Sequence, residues 1–336
     1  MRRFLTPLIL LLLAAVALVI YLDWTRDRHS GPLLSDLRTR PILSEGEASD
    51  AGNLLAIEAR LLPADYQSRE RLRLKFATYL DQAREAGLLN PRSVVILPEH
   101  VGTGLFAVGE KPEVQQARTL RDAMQWTALS NPRDYLRGLF GNRSDDRRTQ
   151  SVLKIKARQM AADYQHIFSR LAREYGVTLV AGSIVLPEPR LQDGLLRPGE
   201  GPLRQVSLSF DAQGNALGPL QYKHVLTRYE ERYSEAPTGQ QRDSLPTPAG
   251  RLAVFIGCDG YLQTPPADAE RLVLIGARED PQSACNGKPL AVSDLQRMEV
   301  HTLGLPWNLV GSPRQPARHN QGTPVQLKNR WLEPQR

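Results

Sequence analysis

From Asn53 onward the chain alternates short apolar runs with amphipathic stretches, and this order limits what it can fold into more than any other feature. "NLLAIEAR" has a strand pattern, "SRERLRLKFATYLDQAREAG" repeats its apolar residues with a helical period and stops at Gly87, and "SVVILPEH" is a second strand. A long helix is predicted from about Thr149 to Tyr175, then the strand "VTLVAGSIV". "RQVSLSFDAQGNALG" follows, with alternation that runs into a Gly-Asn turn typical of a hairpin. "RLAVFIG" and "RLVLIGA" supply two more strands. Strand and helix in this order predict an α/β fold of stacked layers. Residues 103–146 are longer than a plain connection and contain Pro, Trp and Gly, which predicts an insertion over one sheet edge that could serve as a lid.

The first residues, "MRRFLTPLILLLLAAVALVIYLDW", address the chain to a membrane. The stretch from Phe4 to Leu22 is interrupted by Thr6 and Pro7 alone, close to the roughly 20 residues that span a bilayer. Ala15, Val16 and Ala17 have the A-x-A form of a signal cleavage site, yet the apolar run continues to Leu22, which favours an uncleaved anchor. Arg2 and Arg3 flank one side while Arg26, Arg28, Arg38 and Arg40 follow the other, so the count of basic residues does not orient the span. The very short basic tip resembles a signal anchor, and the expectation is an extracytoplasmic, periplasmic domain. Residues 23–52 are polar and rich in Gly, Ser and Pro, without sustained period, and read as a linker. The expected organisation is a transmembrane anchor over 1–22, a linker over 23–52 and one domain over 53–336.

The formal charge of +7 does not point to nucleic acid, because basic and acidic residues are interspersed and no basic stretch interleaves aromatics. The lipid bilayer is the partner the sequence implies. Two cysteines, Cys258 and Cys285, make no disulfide framework; a single bridge between them is open. Zinc ligation by Cys258, His224 and His100 is disfavoured, since no close Cys/His pair has metal-ligand spacing, and no metal or cofactor is expected. "GTGLFAVG" lacks the phosphate-cradling pattern, and His166, inside the long helix, reads as a surface or packing residue.

Three polar residues stand at strand ends: Glu99 after "VVILP", Lys223 after "GPLQY" and Cys258 after "LAVFIG". Each alone reads as a solvated end or, for the thiol, as core packing. Together they are the three roles that amide hydrolysis through a thioester requires: a base, an oxyanion-holding cation and a nucleophile.

Carried on these residues, the sequence resembles the nitrilase or carbon-nitrogen hydrolase superfamily from about residue 53 to 260. "SVVILPEH" looks like its first-carboxylate motif, "SLSFDAQGNALGPLQYKHVL" like the hairpin that delivers the lysine, and "TPAGRLAVFIGCD" like the approach to the nucleophile. The resemblance implies a four-layer α-β-β-α sandwich and a Glu99, Lys223, Cys258 triad acting on a small amide or acyl substrate, and leaves a homo-oligomer open. It also implies a second glutamate eight residues after the lysine, Glu231, with Glu230 beside it as the alternative, and the backbone N–H of Asp259 as an oxyanion donor. An amine acceptor in place of water would make the chain akin to apolipoprotein N-acyltransferases, which carry a multi-span membrane portion that one span does not match.

The chain departs from the family's pattern at two places. His224 adjoins the lysine instead of following it by two residues, and Arg228 stands where a proline is usual. Counted without a gap, Gly257 falls where the family's cysteine stands and Cys258 one residue later. A one-residue shift on a strand turns a side chain to the opposite face. Either a bulge or altered elbow returns Cys258 to the site, with Gly257 and Gly260 supplying the backbone freedom, or the domain is catalytically silent and binds a partner or ligand.

Overall fold

The computed structural model describes residues 2–28, 35–133, 135, 145–239, 242–276, 285, 295–317 and 324–333. In chain order the helices are α1 (Arg2–Arg26), α2 (Arg69–Glu85), α3 (Pro112–Gln116), α4 (Leu120–Ser130), α5 (Arg147–Tyr175) and α6 (Asp259–Leu262). The first strands are β1 (Leu43–Glu45), β2 (Asn53–Glu58), β3 (Ser93–Ile96), β4 (Thr178–Val180), β5 (Ile184–Pro187), β6 (Arg190–Gln192) and β7 (Leu195–Arg197). They are followed by β8 (Leu203–Phe210), β9 (Ala216–Tyr222), β10 (Leu245–Thr247), β11 (Gly250–Ile256), β12 (Arg271–Gly276), β13 (Gln296–His301) and β14 (Gln326–Trp331).

Two sheets carry the molecule. The larger runs β1-β14-β2-β3-β4-β8-β5, with β9 also paired to β8, and the smaller runs β10-β11-β12-β13. β2, β3 and β4 are parallel, as are β11, β12 and β13, and the interior strands β3, β4, β11 and β12 are mostly apolar and buried. The period-two alternation of a strand sorts the cover. Leu55, Ile57, Val95 and Leu179 face one way, into a cluster with Phe76, Tyr79 and Leu80 of α2 and Ile167, Phe168 and Leu171 of α5. Leu54, Ala56, Val94, Ile96 and Val180 face the other way and meet Val254, Ile256, Val273, Ile275 and Val300 of the smaller sheet. Each large side chain so buried stabilises by about 1.5–3 kcal/mol.

The layers are therefore helix, sheet, sheet, and the mixed α/β expectation is met. Beyond the second sheet, Ala253, Phe255, Leu272 and Leu274 pack with Tyr261 of α6, a single turn of helix. The Arg242 guanidinium lies 4.3 Å over the Phe255 ring on that face, and among the described residues no longer helix covers it; residues 277–284 and 286–294 lie outside them.

The helices begin and end where their caps dictate. The Ser68 side chain accepts from Arg71 N at the start of α2, and the Asp146 side chain accepts from Thr149 N at the start of α5, while Gly176 at φ 63° closes α5. The hairpin forms as its turn predicts, with Phe210 opposite Ala216 and Asp211 N bonded to Asn215 O. The insertion packs on the helical layer, not over a sheet edge: Leu105, Phe106, Val114, Leu120 and Met124 join the cluster under α5. Residues 134 and 136–144 of it lie outside the described residues.

The amino-terminal apolar stretch forms α1, of which Pro7–Arg26 is long and apolar enough to cross a membrane, a test that a signal sequence also passes. The segment read as a linker is ordered against the domain where it is described. β1 pairs in parallel with β14, and Arg40 N bonds to Val325 O. The three-residue strand lacks the length for a periodic signal, which is why its sequence reads as loop.

Candidate active site

The carboxyl ends of β3, β9 and β11 converge. β3 runs out through Leu97 and Pro98 into Glu99, and the left-handed His100 that follows (φ 61°) is held by Ser183, whose Oγ accepts from His100 N at 2.8 Å. β9 delivers Lys223, whose backbone N–H bonds to Gln205 O. Its ammonium lies 2.7 Å from Glu99 Oε1 and 2.7 and 2.9 Å from the two oxygens of Glu230. Gln205 Nε2 donates to the same Glu99 Oε1 at 2.8 Å and to Ser183 Oγ at 2.8 Å.

All three charged groups are buried, Glu99 and Lys223 at 2% exposure and Glu230 at 0%. Burial alone would push the Lys223 ammonium toward neutrality, but the Glu230 and Glu99 carboxylates hold it above its ordinary range. Burial likewise works against an ionised Glu230, and Lys223 together with the His100 ring overrides it, so that Glu230 sits well below the usual carboxylate range. Glu230 Oε2 also accepts from Thr227 N at 2.8 Å, and His100 Nε2 lies 3.3 Å from Glu230 Oε1.

The second carboxylate is thus Glu230 and not the expected Glu231. The tight turn from Thr227 to Ser234, in which Tyr233 N and Ser234 N bond back to Glu230 O, points residue 230 inward and leaves Glu231 exposed. Counting along the sequence could not fix this, because a turn, unlike a strand or helix, has no period to set which residue faces in.

At β11 the expected nucleophile is displaced. The β11–β12 register runs unbroken from Leu252–Arg271 to Ile256–Ile275, so no bulge returns Cys258 to the site. Gly257, at φ 54°, occupies the strand-to-helix elbow; a Cβ built on it would lie 2.7 Å from Lys223 Nζ and 3.1 Å from Glu99 Oε1. Cys258 is 2% exposed and bridged to Cys285, with Cα atoms 5.5 Å apart. Its sulfur is therefore not a thiol, the reverse of what a nucleophile needs.

Asp259, expected to lend its backbone N–H, does visible work through its side chain. Its carboxylate accepts from His224 N at 2.9 Å and Val225 N at 2.7 Å and pairs with Arg242 Nη2 at 3.1 Å, tying the elbow to the segment after Lys223. Gln205, Ser183 and Arg242 were not singled out from sequence. The signal for Gln205 was a polar residue at an interior position of a strand otherwise buried.

Ligand atoms of Glu99, His100 and Glu230 lie within 4.8 Å of one another, close enough to share a cation. Lys223 already holds its charge between the two carboxylates, so a divalent ion there would meet an ammonium at contact distance. Two cavities, of about 1160 and 590 Å³, open elsewhere, and neither is lined by Glu99, Lys223 or Gly257. The arrangement places an ammonium between two carboxylates in the core, and among the described residues no thiol stands beside them.

No family model and no curated protein matches the chain. Among solved structures it is similar to a carbon-nitrogen hydrolase from Helicobacter pylori G27, at 15% identity and TM-score 0.40 over 69% of this chain and 64% of that one. It is also similar to an amidase from Nesterenkonia sp., at 16% identity and TM-score 0.39 over 68% of this chain and 65% of that one. A third is an amidase variant from Nesterenkonia sp. AN1 with the acetamide moiety of fluoroacetamide added covalently at its active-site cysteine, at 15% identity and TM-score 0.41 over 71% of each chain. The chain thus spans about two thirds of the length of these proteins, and just under that for the first two.

Proposed function

We propose that the chain is a membrane-anchored, carbon-nitrogen-hydrolase-like domain that has given up thioester chemistry and serves as a binding or scaffold domain on the extracytoplasmic side. The observation that carries this reading is Gly257: the position aimed at Lys223 and Glu99 bears no side chain, while the neighbouring sulfur is bonded to Cys285. Amide hydrolysis of this type begins with a thiolate, and a disulfide sulfur supplies none. The remaining groups suit a structural role, since Lys223 together with Gln205, Thr227 N and His100 gives both buried carboxylates hydrogen-bond partners. An oxidising compartment, where such a bridge persists, agrees with an exported domain.

A second reading, an amidase acting through reduced Cys258, is favoured by one observation, the intact set of Glu99, Lys223 and Glu230. The two separate in one experiment on the full-length protein in detergent. Small aliphatic amides and iodoacetamide are supplied with and without a reductant, and free acid, ammonia and protein mass are followed. The silent domain yields no acid, no adduct without reductant, and a peptide pair joining Cys258 to Cys285. Turnover together with an acyl or carbamidomethyl adduct on Cys258 would establish the amidase and refute the silent domain.

A further inference from the structure

α1 ends in a built joint with the domain. Lys111, 3% exposed, directs its ammonium at the carbonyl oxygens of Trp24, at 2.6 Å, and Asp27, and stands 4.4 Å over the Trp24 ring. A cation that donates to the last carbonyls of a helix caps it and meets the negative end of its dipole. Arg28, just beyond, pairs with Glu110, a carboxylate 2% exposed that also binds Lys156 at 2.7 Å and Ser130 Oγ at 3.0 Å. These contacts fix the direction in which α1 leaves the domain.

They also fix what lies beside it. The Tyr21 hydroxyl donates to Leu129 O at 2.7 Å, and the Trp24 and Trp126 rings lie 6.3 Å apart, so the carboxyl end of α4 stands level with a residue inside the apolar stretch Pro7–Arg26. At that end α4 exposes Trp126 (36%) and Leu129 (40%), whereas its amino end exposes Arg121 and Asp122. Tyrosine and tryptophan at the end of a span are residues of the membrane-water interface.

We propose that the carboxyl end of α4, through Trp126 and Leu129, is seated in the interfacial zone of the bilayer that α1 crosses, so that the domain is held at one attitude to the lipid. The proposal rests on α1 being a retained membrane anchor. Lipid is the occupant because Trp126 and Leu129 adjoin Trp24 and Tyr21 of the span and so stand at the same depth as its end.

Because Cys258 and Cys285 are bridged, a cysteine introduced at Leu129, Gln125 or Arg121 can be labelled selectively without reductant. Each full-length variant, carrying an environment-sensitive fluorophore, is placed in phosphatidylcholine–phosphatidylglycerol vesicles with and without brominated acyl chains. Along α4 the sites Arg121 and Leu129 are about 12 Å apart. The expected result is quenching by brominated lipid several-fold stronger at 129 than at 121, with 125 between. Carbonate-resistant attachment of every variant reports on the anchor separately. Attached protein whose label at 129 is as poorly quenched as at 121 overturns the docking, as does shielding at 129 that depends on protein concentration and not on brominated lipid, the sign of a second copy. Protein washed off by carbonate overturns the anchor on which the docking rests. Trp126→Phe in unlabelled protein supplies a second measurement: the lipid-quenchable tryptophan emission should fall, and an unchanged quenchable fraction would count against the proposal.

Discussion

Replacing Lys223 by Met keeps the length of the side chain and removes the ammonium that lies 2.7 Å from both Glu99 and Glu230. Two carboxylates then stay buried without their cation, which leaves His100, Thr227 N and Gln205 as their remaining partners. Breaking a buried pair in this way costs about 3–5 kcal/mol. At roughly 2 °C per kcal/mol for a chain of this size, the melting temperature at pH 7 should fall by about 6–10 °C. The pH profile should change sign as well. In the wild type the folded pKa of Glu230 lies below its ordinary 4.5, so its contribution is present above that value and fades as pH falls through the folded value. Lys223 lies above its ordinary 10.5, so its contribution is present below that value and fades only in strong alkali. In the variant, buried carboxylates without an ammonium titrate above their unfolded values, and stability should instead decline as pH rises from about 4.5 toward neutrality. Thermal unfolding of the full-length protein in detergent, followed by near-UV circular dichroism from pH 4 to 8, measures both effects. A variant melting within a degree or two of wild type at pH 7, with the same pH slope, would refute the structural role given to the triad.

Two further outcomes follow from the site. Cys258→Ser opens a bridge whose ends are 27 residues apart and should lower stability by about 3–4 kcal/mol; reductant should lower the wild type by a similar amount and leave the variant unchanged, and a wild type indifferent to reductant would count against the bridge. Glu230→Gln should lower the melting temperature by several degrees, whereas Glu231→Gln, on the exposed side of the turn, should stay within about 0.5 kcal/mol of wild type, and equal effects would contradict the assignment of the inward carboxylate.

What could be read from sequence was what repeats with a short period. β3, β11 and β12 showed as apolar runs, α2 as a helical stripe that stops at Gly87, α5 as a long helix, and the β8–β9 turn as Gly-Asn. The approach of Glu99 to Lys223 was legible too, since both follow directly on recognisable strands. Orientation within irregular backbone was not. Glu230 and Glu231 differ in direction because of one turn, and Gly257 and Cys258 because a strand without a bulge keeps its parity to the end. The pairing of Cys258 with Cys285 depends on how a later segment folds back, which neither spacing nor composition encodes. β1 went unseen for a similar reason: its partner is β14, and three residues paired across nearly the whole chain leave no local signature.

That pairing has a consequence for how the protein is made. β14 lies between β1 and β2, so the last of the described strands is inserted between the first two of them and separates them. Leu43 can find Lys328, and Trp331 can find Asn53, only after β14 has emerged. The chain must therefore complete its larger sheet late, with β1 and β14 brought together at one edge of that sheet. Pairings this distant in sequence close slowly, because the entropy of a long loop is lost before any contact offsets it. Until then β2 has an open edge, and that interval is when the chain is most exposed to mispairing with another strand.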